Sequence, residues 1–363
     1  MSTGVAVVFL AVVAGRFLLP LLIPYFPLPA VIACLVLDGV DQTIFQAFGY
    51  DPPGYQSYDK AMDVYYLAIA YLSTLRNWTS EAAFRISRFL FFYRLAGALL
   101  FELTQARWLL LVFPNVFEYF FIAYETIRSR WSPVTLLTTW WLSVAGVIWV
   151  VVKLPQEWWL HVARLDLTDE IAAHHWILGL IVALLAGLAI TFQRLIRPRL
   201  RPVDWDWRIR PEPLPEQMDE PHEQSAWRTK NDAVWSWNTF EKALLLGLIC
   251  CVFAQMLPDF TGTTTELFIG VGITVVLNAA ISLAMARRSW TIRSTALAFV
   301  ARLLLNIVLA SVANRLLGRQ LDGYDTLFFL IMISLITTLH DRWRPVHGYR
   351  VMTAPAGAGP ASR

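Results

Sequence analysis

The sequence predicts an all-α fold: a polytopic integral membrane helical bundle of about eleven transmembrane helices. Three observations carry that prediction. Of the 363 residues, 57% are hydrophobic and 16% charged, and the mean hydropathy of +0.51 is well above that of water-soluble globules of this length. Apolar runs long enough to cross a hydrocarbon layer of roughly 30 Å recur from residue 5 almost to the C-terminus. Basic residues gather at every second end of those runs, where a cytoplasmic rim would be.

The spans are expected at 5–24, 27–48, 59–75, 84–104, 107–127, 133–152, 175–195, 242–258, 265–286, 294–313 and 325–340. The first is followed at once by the second, with no small-residue cleavage site between them, so it reads as a retained span and not a signal peptide. Arg76, Arg85 and Arg88 follow the third span, and Arg128 and Arg130 the fifth, which Pro114 interrupts. Arg194 to Arg210 follow the seventh, Arg287, Arg288 and Arg293 the ninth, and Arg342 and Arg344 the eleventh. All are odd-numbered exits, while GYDPPGYQSY and LPDFTGTTT contain no Lys or Arg. The bias predicts an N-terminus outside and a C-terminus inside a cytoplasmic (plasma) membrane.

Four regions follow. Residues 1–195 form an N-terminal membrane domain of about seven helices, and 241–345 a C-terminal one of about four. Residues 196–240, rich in Pro, Arg and Trp, read as a cytoplasmic linker at the lipid headgroups, with too little apolar patterning for a core. The tail 346–363 is expected to be disordered. Residues 155–174 suggest a helix lying in the outer interface, with Trp158, Trp159, Val162, Leu165 and Ile171 on its apolar side.

Composition excludes several classes. Cys34, Cys250 and Cys251 all fall within spans and read as reduced core residues, not a disulfide framework or metal site. A net charge of +3 says little about partners beyond membrane lipids, and nothing resembles a nucleic-acid module. His161, His174 and His175 read as an interfacial rim.

An ionisable group at membrane depth costs about 2.5–3.5 kcal/mol, so each one requires a reason. Arg16, Asp38, Asp41, Asp63, Arg94, Glu102 and Glu118 fall in the first five spans, with Asp59 at a rim. The last four spans offer little beyond Arg302, Asn278 and Asn306, which places the candidate site in the N-terminal half. Asp38 and Asp41 are three apart and Asp59 and Asp63 four apart, so each pair shares a helix face. A short connection makes the two helices antiparallel neighbours. Four converging carboxylates cannot all stay ionised without cations. A divalent cation, Mg or Mn, is one solution; neutralisation by Arg16 and Arg94, with protons covering the remainder, is the other. A plainer reading leaves Asp51, Asp59 and Lys60 as solvated loop residues and explains Asp38, Asp41 and Asp63 by contacts between helices.

In spacing, Asp38, Asp41, Asp59 and Asp63 resemble the CDP-alcohol phosphatidyltransferase signature, D-x-x-D-G-x-x-A-R-x8-G-x3-D-x3-D. The resemblance implies that all four ligate metal and that Asp63 is also the catalytic base that activates the acceptor hydroxyl. Gln42, Phe45, Gln46 and Tyr55 stand where that signature has Gly, Ala, Arg and Gly. The likeness therefore extends to the aspartates and not to the residues that accommodate the nucleotide.

Arg94, near mid-membrane, suits an anionic group, and Asn115 and Glu118 beside the Pro114 kink offer further substrate-binding groups. Three functions stay open. One is an intramembrane metal-dependent transferase or hydrolase acting on a lipid-linked phosphate. Another is a proton- or cation-coupled transporter, and the third a non-catalytic scaffold that docks a partner through the linker.

Overall fold

The computed structural model describes residues 3–50, 55–159, 174, 176–191, 193–194, 198, 201–257, 262–288, 292, 294–317 and 323–353. Among the described residues every regular element is helical. In order these are α1 (Thr3–Leu18), α2 (Pro27–Ala47), α3 (Tyr55–Asn77), α4 (Glu81–Thr104), α5 (Trp108–Val112) and α6 (Val116–Arg128). Next come α7 (Thr138–Val147), a π-helical stretch Ile148–Lys153, α8 (Leu154–Glu157) and α9 (Trp176–Thr191). The chain continues with α10 (Pro221–Asn231), α11 (Trp237–Met256), α12 (Thr264–Arg287), α13 (Thr295–Leu317) and α14 (Gly323–Thr353).

Among the described residues, seven helices are long and apolar enough to cross a membrane: Thr3–Leu22, Pro27–Ala47, Trp108–Arg128, Thr138–Glu157, Trp237–Gln255, Thr264–Arg287 and Thr295–Val312. That makes the chain a multi-pass helical protein of membrane character. The polar exceptions are instructive. α3 lies at the centre, packed against α2, α4, α11 and α14, and from Ala61 to Leu75 nearly every side chain except Asp63 is buried. Its Tyr65, Tyr66, Tyr71, Ser73 and Thr74 meet protein and not lipid, and so do not need to be apolar. The Tyr71 hydroxyl, for example, donates to Glu241 of α11, which also pairs with Arg88 of α4 at 3.4 Å. By contrast α13 is almost entirely hydrophobic yet largely exposed, with Leu297, Leu304 and Val308 on its surface. Hydropathy here marks the face turned to lipid.

Local chemistry sets the helix ends. Pro27 opens α2 at the first-turn position, where a missing N–H is harmless. Ser80 caps α4 by accepting from the Ala83 amide. Gln105, in a left-handed conformation with φ 54°, ends α4. As expected, the fifth span breaks at Pro114: α5 stops at Val112, and Asn115 caps α6 through the Glu118 amide. Gly97 allows α4 to approach that break, since a Cβ there would lie 2.1 Å from Cβ of Phe113. Cys34, Cys250 and Cys251 are free and buried.

Two expectations need correction. The tail expected to be disordered from 346 is helical as far as Thr353, where α14 ends, and His347 in its last turns is buried against Phe84. The linker 196–240 is more than a headgroup-hugging strand. It contains α10, opened by a capping box of Glu220 and Glu223, and it is bonded across the helix ends by polar side chains. Arg128 donates to the Arg210 carbonyl at 3.1 Å, Asn77 accepts from the Glu212 amide at 3.2 Å, and Arg350 donates to the Pro213 carbonyl at 2.9 Å. Apolar periodicity misses such a segment because hydrogen bonds hold it. The interfacial helix expected over 155–174 lies almost wholly outside the described residues, as do His161, His175 and the tail beyond 353.

Candidate functional site

Asp38 and Asp41 stand on α2, and Asp59 and Asp63 on α3. At a rise of about 1.5 Å per residue they lie about 6–14 Å from the α2 and α3 ends that face the connecting turn. The two pairs do converge. Asp38, Asp59 and Asp63 each offer an oxygen within 4.8 Å of the others, all three partly buried. The expectation that Asp59 and Lys60 are free loop residues gives way, since both belong to α3 and Lys60 bonds Asp59 at 3.1 Å.

Arg16 of α1 is the hub. Its Nη1 donates to Asp41 Oδ2 at 2.6 Å, and its Nη2 lies 2.6 Å from Asp38, 3.5 Å from Asp63 and 3.8 Å from Asp59. The Nη2 contact with Asp38 is close but off the line that a hydrogen bond needs, so Asp38 Oδ1 and Asp63 Oδ1 stay buried without a hydrogen-bond partner. Asp41 stays outside the triad, accepting from Arg16 and from the Tyr55 hydroxyl. The structure thus assembles three of the four expected metal ligands and gives the fourth to Arg16.

Counting formal charges, four carboxylates face Arg16 and Lys60, a deficit of two positive charges. Such an imbalance in a poorly solvated place calls for a divalent cation or for protons. The donor set fits a hard divalent ion: three carboxylates, two of them with a buried oxygen that faces the Arg16 guanidinium without accepting a hydrogen bond.

The expected substrate-binding residues take other places. Arg94 donates to the Phe113 carbonyl at 3.0 Å, an acceptor freed by the Pro114 break, and makes no ion pair with the aspartates among the described residues. It stands near enough to Lys60 for the two cations to repel each other. Asn115 donates to Glu118 at 2.8 Å, and Glu118 also accepts from the Tyr66 hydroxyl of α3. Glu118 is in turn close enough to Asp63 for mutual repulsion, so the kink and the aspartate cluster adjoin through α3.

Sequence reasoning missed Tyr55, Tyr66 and the role of Lys60. Tyr55 is a mismatch when set against the signature, yet it serves as the donor that holds Asp41. No protein-family model, curated protein or solved structure matches the chain.

Proposed function

We propose that the chain crosses a cytoplasmic membrane eleven times, N-terminus outside, and that Asp38, Asp59 and Asp63 hold one divalent cation used in transfer or hydrolysis on a lipid-linked phosphate. The observation that carries this reading is the carboxylate triad, with two buried oxygens that accept no hydrogen bond and more negative charge than Arg16 and Lys60 offset. The span count adds α3, α4, α9 and α14 to the seven apolar helices; α3 is sheltered from lipid by its neighbours.

A bound divalent ion would supply Lewis-acid stabilisation of charge on a phosphoryl oxygen. The protein's own groups supply the rest. Asp63 takes the proton of an attacking hydroxyl or water. Lys60 and Arg94 put positive charge beside the triad, where a phosphate would be drawn. Arg16 and Tyr55 fix Asp41, and through Arg16 the α1–α2 side of the cluster. The cluster lies toward the α2–α3 turn, which the charge bias places in the outer half of the bilayer, so the substrate arrives within the membrane.

A proton- or cation-coupled transporter is the second reading, favoured by the adjoining Glu118, buried and bonded to Tyr66 and Asn115. One experiment separates them. Metal content and thermal stability are measured on purified protein with and without Mn²⁺ or Mg²⁺, for wild type and for Asp59→Asn with Asp63→Asn. The enzyme reading expects a metal-dependent rise in Tm that the double variant loses. No bound metal and no rise, with stability that tracks pH through the same aspartates, would sink it in favour of proton coupling.

A further inference from the structure

The C-terminal half carries the opposite charge surplus. Asp341 of α14 meets Lys242 of α11 at 2.5 Å, Arg302 of α13 at 2.8 Å and Arg228 of α10 at 3.7 Å. Arg228 also pairs with Asp232 at 3.5 Å. Next along α14 stands Arg342, half-buried and in no ion pair among the described residues. Four cations therefore face two carboxylates.

A cavity of about 380 Å³ opens beside this cluster, within the size range of ligand sites. Arg228, Arg302, Arg342 and Asp341 line it together with Ile281, Met285 and Leu305. It lies between α12 and α13, which are bridged by Arg302 to Ser282 at 2.9 Å and Asn278 to Asn306 at 2.6 Å. Two polar atoms of its lining residues are buried with no partner: Arg302 Nη1, a charged donor, and Asn278 Oδ1, an acceptor. Asn278 is only 1% exposed. Leaving such atoms unpaired is costly unless a ligand supplies an anionic oxygen to one and a hydroxyl to the other.

Position narrows the ligand. Met285 lies in the last turn of α12, just before Arg287 and Arg288, at the end that the charge bias turns to the cytoplasm. Beyond it α13 exposes Leu297, Val300 and Leu304. The cavity thus joins a cationic floor closed by α10 to a lipid-facing flank, and basic pockets between helices at this level suit anionic headgroups.

We propose that this cavity binds an anionic phospholipid whose headgroup carries a hydroxyl. The phosphate is held by Arg302, Arg228 and Arg342, the headgroup hydroxyl donates to Asn278 Oδ1, and one acyl chain leaves along Ile281 and Leu305. The sequence understated this half because its charges come from four separate segments.

The test uses full-length delipidated protein in nonionic detergent with EDTA, so that the aspartate site plays no part. Dioleoylphosphatidylglycerol, dioleoylphosphatidate, dioleoylphosphatidylcholine or inorganic phosphate is added, and Tm and lipid adducts in native mass spectrometry are read. Phosphatidylglycerol is expected to bind saturably and raise Tm, phosphatidate to bind more weakly for want of an alcohol hydroxyl beyond the phosphate, and phosphatidylcholine and inorganic phosphate to leave Tm unchanged. Arg342→Gln, which breaks no ion pair, should weaken phosphatidylglycerol about tenfold, the loss of one charge-assisted contact, with its lipid-free Tm intact. Arg302→Gln should abolish binding where it folds. Equal binding of phosphatidylcholine, wild-type affinity in Arg342→Gln, or a full Tm rise with inorganic phosphate alone would overturn the proposal. Asp59→Asn with Asp63→Asn should bind phosphatidylglycerol as wild type does, so failure of the metal reading leaves this one standing.

Discussion

Arg16 sits among four carboxylates; Asp341 sits among three cations. The two clusters are near mirror images in charge, one built by α1, α2 and α3, the other by α10, α11, α13 and α14. A cluster that only locked helices together would gain most from balance, because an uncompensated buried charge is what makes removal of a partner so damaging. Neither cluster balances. The difference in sign is what the two proposals rest on: a cation at the aspartates, an anion at the arginines.

The largest effect is expected at the hubs. Arg16→Gln strands four carboxylates and should cost about 3–5 kcal/mol, the range for breaking a buried pair, read as a large fall in Tm. Added Mn²⁺ should restore part of that loss if the charge deficit is the cause. Asp341→Asn should also cost about 3–5 kcal/mol or somewhat less, because its cations retain other partners such as Asp232 and Ser282. In this variant Mn²⁺ should restore nothing. If metal rescued both alike, the contrast between the clusters would be broken.

Within the acidic cluster, Asp41→Asn should keep the Mn²⁺-dependent Tm rise that Asp59→Asn loses, since Asp41 faces Arg16 and Tyr55 and not the triad. Equal loss in both would return Asp41 to the ligand set.

A smaller effect sharpens the basic side. His347 of α14 is buried against Phe84, 3.5 Å from Glu81. Burial, then the nearby Arg344, Arg350, Arg88 and Arg85, hold its pKa well below the ordinary 6.5. The folded chain therefore refuses a proton that the unfolded chain accepts. Stability from this residue is fully present above about pH 6.5 and falls as pH drops below it, by up to about 1.4 kcal/mol per pH unit. His347→Phe should flatten that part of a Tm against pH curve. The smallest change is expected for Arg85→Ala, whose pair with Glu81 has the arginine 72% exposed; at most about 0.5 kcal/mol should be lost.

Much of the fold was legible because it is local. The break at Pro114 follows from a proline without an N–H, whereas Asn115, read from the sequence as a binding group, proved to be the cap that accepts the Glu118 amide. Intervals of three and four between aspartates put each pair on one helix face. The tail was misread because α14 continues through Pro345, a residue that in most settings ends a helix. The linker was underrated because polar side chains such as Asn77 and Arg128, distant in sequence, hold its backbone.

The amino-acid order alone determined the helical membrane class and the two aspartate pairs, since period and composition act over a few residues. Only the tertiary structure decided that Asp41 turns to Arg16 while Asp59 joins the triad, and that Arg228, Arg302 and Arg342 border one cavity. Those outcomes depend on how whole helices rotate and approach one another, and that is set by packing between segments more than a hundred residues apart.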